Sequence, residues 1–132
     1  MDITYIYHSC FLLELTDATL LFDYFKGTLP PIRNDKPLYI FASHRHHDHF
    51  NPVIFSLFSH FPDVRFILSY DINKNHIPKP LLTKTVLLAP RQSVAFSHFP
   101  VCTLRSTDEG VAFFIKTPHY TRYHAGDLNH WH

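Results

Sequence analysis

Glycine is scarce, with three residues in 132, and no glycine-rich phosphate-binding loop can be built from them. Cysteine is nearly absent. Cys10 and Cys102 form no Cys-x-x-Cys pair and sit in the apolar runs 10–13 and 101–104. Both are therefore expected to be buried small hydrophobes in strands, not disulfide partners. No apolar run approaches the length of a membrane span. The N-terminus reads Met1-Asp2-Ile3-Thr4, with an acid where a secretory leader carries positive charge, so a cytoplasmic location is expected. A net charge of +1 gives no general pull toward nucleic acid or anionic membranes, and neither is an expected partner. Repeats, low-complexity tracts and linkers are lacking too, and the length suits one domain.

Histidine is abundant. There are 12, as many as lysine and arginine together. Neutral imidazole is the commonest protein ligand for metal ions, so this excess hints at metal chemistry. The hydrophobic fraction of 45% suffices for a core, and the 16% aromatic content, mostly Phe, favours strands. Short β-type runs at 3–7, 11–15 and 20–22 predict a meander whose third strand ends at Asp23. Residues 27–37 are rich in turn formers and predict a loop. Residues 38–42 are apolar without alternation, as in a strand buried on both faces. Asn51-Pro52 then signals a helix start, and Ile54, Leu57, Phe58 and Phe61 fall on one helical face. A strand is predicted at 65–69, and further short strands at 85–88, 93–96, 101–105, 111–116 and 121–124.

Directly after the buried run stands Ser43-His44-Arg45-His46-His47-Asp48-His49. It contains His-x-His-x-Asp-His on His44, His46, Asp48 and His49. Two imidazoles two residues apart can serve one ion, and the Asp-His pair can reach a second nearby. Such donors suit zinc, and also iron or manganese. Two adjacent ions can activate a hydroxide between them, which is what a binuclear hydrolase needs. A histidine-rich surface loop is the competing reading, but it gives no reason for the position at the carboxyl end of a buried strand, where layered α/β sheets build their sites. Asp23 ends a strand at the same rim, where a carboxylate can orient a ligand histidine.

With these motifs the chain resembles the metallo-β-lactamase superfamily, from the meander ending at Asp23, through His-x-His-x-Asp-His, to Gly126-Asp127. The stretches 41–51, 106–113 and 123–131 are most similar to small bacterial metallo-hydrolases of this fold with unassigned substrate, and more distantly to the ascorbate-6-phosphate lactonase branch. The resemblance implies an α+β fold of αββα sandwich type. It implies that His44 and His46 bind a first metal, that Asp48 and His49 bind a second, and that Asp127 bridges them. Two divalent ions are implied, Zn2+ foremost, with a metal-bound hydroxide attacking an ester, lactone or phosphodiester of a small-molecule substrate and Asp48 orienting it.

The sequence departs from the family pattern at two places. The family places a further histidine ligand where this chain reads Ser106-Thr107-Asp108-Glu109-Gly110, which leaves Ser106 or Asp108 as substitutes. The fold also has two similar halves, and residues 1–132 resemble only the first. The resemblance thus leaves a second reading open, a truncated metal-binding remnant without turnover. It also implies an uncovered sheet face able to self-associate. His8, in the first turn, and His132, close after Asp127, are candidates for the surroundings of the site. His47, between ligands, is expected to point away.

Overall fold

The computed structural model describes residues 2–7, 10–47, 49–96, 99–105, 110–116 and 121–125. A six-stranded mixed sheet is built from β1 (Asp2–Tyr7), β2 (Cys10–Glu14), β3 (Thr19–Phe22), β4 (Leu38–Ala42), β5 (Val64–Ser69) and β6 (Thr85–Leu88), in that spatial order. The first three strands pair antiparallel, which is the expected meander. From β3 to β6 the pairing is parallel, and this requires crossovers. The β4–β5 crossover carries α1 (Val53–Phe58). The β5–β6 crossover carries two short 3-10 segments, Lys74–His76 and Lys79–Lys84. A second sheet is antiparallel, in the order β10 (Thr121–Ala125), β9 (Val111–Lys116), β8 (Pro100–Arg105), β7 (Ser93–Ala95). No described helix is long and apolar enough to cross a membrane.

Every residue of β4 is buried, and alternate residues feed two separate cores. Leu38, Ile40 and Ala42 pack with Ile54, Phe55 and Phe58 of α1 and with Ile77 and Leu81 of the β5–β6 crossover. Tyr39 and Phe41 face the other way, toward Val101, Val111, Phe113 and Ile115 of the second sheet. The apolar run without alternation is thus explained by burial on both faces. Phenylalanines tie the layers together. Phe11 stacks on Phe22 at 4.7 Å, Phe22 on Phe41 at 4.6 Å, and Phe41 meets Phe113 edge-on at 5.1 Å. Each such contact contributes about 1 kcal/mol beyond the area it buries.

Two sequence expectations change. Leu57 is 40% exposed, whereas Phe55 is buried against Phe66 at a centroid distance of 4.9 Å. The helix is too short for a stripe extending to Phe61, which packs beyond its end. Cys102 is exposed, because period-two alternation along β8 turns Val101 and Thr103 inward and Cys102 outward. Cys10 is buried, as expected.

Candidate metal centre

β3 and β4 run parallel, so their carboxyl ends lie side by side. The chain leaves β3 at Asp23, whose backbone N–H still bonds Phe41 O at 2.8 Å. Its φ of 51° then turns the chain out of the sheet. Aspartate tolerates this left-handed conformation better than most residues. The chain leaves β4 one residue before Ser43, and the two exits are joined by side chains. Asp23 Oδ1 accepts from Ser43 N at 2.8 Å, and Oδ2 accepts from Ser43 Oγ at 2.6 Å. Oδ2 also meets His49 Nδ1 at 3.0 Å. Asp23, Ser43, His44 and His49 are all buried.

The histidine-rich segment is wound tightly. His46 O accepts from the backbone N–H of both His49 and Phe50 at 2.9 Å. This brings the rings of His44 and His49 to 4.7 Å between centroids and those of His44 and His46 to 6.2 Å. His44 Nδ1 lies 2.9 Å from Ser43 Oγ. His46 is half-buried, and His47 is exposed and edge-on to Phe25 at 6.5 Å, turned out as expected. Asn51 closes the segment. Its Oδ1 accepts from Val53 N at 2.9 Å at the start of α1, and its Nδ2 donates to Phe25 O at 2.9 Å.

Three contributors were not singled out by sequence reasoning. Ser43 joins Asp23 to His44. Asp71, after β5, reaches the Arg45 amide with Oδ2 at a long 3.4 Å. Gly110 lies against the ligand segment with φ +83°, and a Cβ there would stand 2.1 Å from Ser43 O and 2.8 Å from His44 Cδ2. The next residue, Val111, donates its N–H to Ser43 O at 2.9 Å, so the second sheet is fastened to the site. Only the position of Ser43, between a buried strand and the first histidine, was a signal open to a sequence reader.

Burial pushes the Cys10 thiol far above its ordinary value, and the nearby Asp23 charge adds to this. The Tyr24 phenol is raised by burial first and by Cys10 second.

Asp48, Asp127, His8, Ser106, Asp108 and His132 lie outside the described residues. Among the described residues, no three His, Cys, Asp or Glu side chains form a group able to hold an ion. The described donors nonetheless fit a metal centre in their chemistry. Two buried imidazoles are each anchored through Nδ1, so Nε2 is the nitrogen that would take a metal, and a carboxylate stands behind them.

Comparison with protein families matches residues 2–131 to the Beta-lactamase superfamily domain. No curated protein matches. Among solved structures, the chain is similar to the metallo hydrolase Igni18 of Ignicoccus hospitalis, with TM-score 0.69 and 17% identity over 96% of this chain and 60% of that one. It is similar to the metallo-beta-lactamase fold protein YhfI of Bacillus subtilis, with TM-score 0.60 and 20% identity over 89% and 54%. It is also similar to CmlA, a diiron beta-hydroxylase of Streptomyces venezuelae, with TM-score 0.74 and 14% identity over 96% and 29%. The chain therefore spans less than two thirds of each of these proteins. At these identities the likeness concerns the fold, which is part of the metallo-β-lactamase sandwich.

Proposed function

Because the chain belongs to the beta-lactamase superfamily, we propose that it is a metal-dependent hydrolase cleaving an ester, lactone or phosphodiester bond in a small-molecule substrate. The observation that carries this reading is the pair of buried imidazoles, His44 and His49, anchored at Nδ1 to the Asp23–Ser43 network with their rings 4.7 Å apart. His44 and His46 would hold one ion and Asp48 and His49 the other, with Asp127 between them and Ser106 or Asp108 completing the first. Imidazole and carboxylate donors favour Zn2+, with iron and manganese as alternatives. The diiron centre of CmlA, on the same fold, keeps iron in view. When bound, such a pair lowers the pKa of water and polarises the bond under attack.

The chain's own residues have separate tasks. Asp48 would orient the attacking oxygen by accepting a hydrogen bond from it. Asp23 holds the His49 ring and the Ser43 hydroxyl, and the buried surroundings keep bulk water from competing for those bonds. A metal-binding chain without turnover is the second reading, favoured by the lack of a histidine in residues 106–110.

Hydrolysis of ester, lactone and phosphodiester substrates by the Zn2+-loaded chain tests the proposal. Turnover that His46→Ala abolishes supports it. Two bound ions with no turnover on any of the three bond types support the second reading.

A further inference from the structure

The proton directions in the Asp23 network follow from the groups involved. A carboxylate only accepts, so the Ser43 hydroxyl at 2.6 Å from Asp23 Oδ2 donates its single proton there. The same Oγ lies 2.9 Å from His44 Nδ1. With its proton already committed, the oxygen accepts, so Nδ1 of a neutral His44 carries the hydrogen. His49 Nδ1 meets the same Oδ2 directly at 3.0 Å and donates to it. Both neutral rings are then Nδ1–H tautomers, with the lone pair on Nε2.

We infer that Ser43 is a positioning residue that relays the Asp23 carboxylate to His44, so that a single carboxylate sets the tautomer of two histidines. Asp23 acts on His49 directly and on His44 through the serine hydroxyl. Where those histidines serve two different ions, which rests on the function proposed above, the two ion sites share one anchor. Ser43 suits this task because it is fixed on three sides. Its N–H is held by Asp23 Oδ1 at 2.8 Å, its carbonyl by Val111 N at 2.9 Å, and Gly110 leaves room for its carbonyl and for the His44 ring. The residue is fully buried, so solvent does not replace the hydroxyl. A site on the ligand-bearing strand edge alone would need only an orienting contact. Here the contact is charged and extends over two residues.

Long-range proton–nitrogen NMR spectra of the metal-free, 15N-histidine-labelled chain test the relay, at a pH where both rings are neutral. The parent shows His44 and His49 as Nδ1–H tautomers. Ser43→Ala moves His44 to the Nε2–H form and leaves His49 as it was, and Ser43→Thr, which keeps a hydroxyl, restores His44. A parent chain with His44 in the Nε2–H form overturns the relay without any variant, as does a Ser43→Ala spectrum unchanged at His44. Zn2+ titration separates this inference from the proposed function. Loss of affinity of about 10- to 100-fold in Ser43→Ala, with recovery in Ser43→Thr, supports the relay. The predicted tautomers in a parent that takes up no Zn2+ uphold the relay and overturn the metal reading. Tight Zn2+ binding with His44 in the other tautomer does the reverse.

Discussion

Asp23 Oδ2 and His49 Nδ1 stand 3.0 Å apart, and both side chains are shut off from solvent. The carboxylate belongs to the end of one parallel strand, and the imidazole follows the end of the next. A buried carboxylate is tolerated only where donors compensate for its lost hydration. Here Ser43 N, Ser43 Oγ and His49 Nδ1 all do so. Asp23→Ala removes the common acceptor of those buried donors. A loss of about 3 kcal/mol is expected from charged hydrogen bonds of this kind, measured by urea denaturation of the metal-free chain. A stability equal to the parent's would mean that Asp23 does not hold the site together.

Gly110 gives a second prediction. Its φ of +83° disfavours any side chain, and a Cβ would collide with Ser43 O and with the His44 ring. Gly110→Ala is expected to cost roughly 3 kcal/mol and to disturb His44 together with the β8–β9 sheet, because the Val111–Ser43 bond adjoins it. Denaturation midpoints and the His44 NMR signals read both effects. A variant as stable as the parent, with unmoved His44 signals, would contradict the close approach.

The two thiols should behave differently. Cys102 is exposed and should react with a thiol reagent in the native chain, whereas Cys10 should react only on unfolding. Burial holds the Cys10 thiol above its unfolded value, so the folded chain binds that proton more tightly. The stability this confers is full below the unfolded thiol value of about 8.5 and is lost as pH rises beyond it. Denaturation midpoints followed from pH 7 to 11 should fall above that value, and less steeply in Cys10→Ala. A native chain in which both thiols react at equal rates would contradict the burial of Cys10.

Much of this was readable in the sequence, for identifiable reasons. Strands β1 to β10 were legible because short apolar runs alternate with turn residues. β4 stood out because burial on two faces removes the alternation. Asp23 was legible as an orienting group because it ends a strand at the same rim as the histidines. The helix was located correctly and Ile54, Phe58 and Phe61 are buried as read, but Phe55 is buried in place of Leu57, since a six-residue helix leaves little periodicity to read. The 3-10 segments were not foreseen, because residues 74–84 combine prolines and lysines without an apolar period. The role of Gly110 depends on β9 starting beside the end of β4. No local pattern encodes that long-range approach.

The most direct test of the metal centre is the metal content of the purified chain after incubation with Zn2+ and removal of excess, compared with His46→Ala and His49→Ala. The account predicts two ions per parent chain and at least one fewer in each variant, with all three chains folded by circular dichroism. Equal metal content in the parent and both variants, or none in the parent, would contradict it.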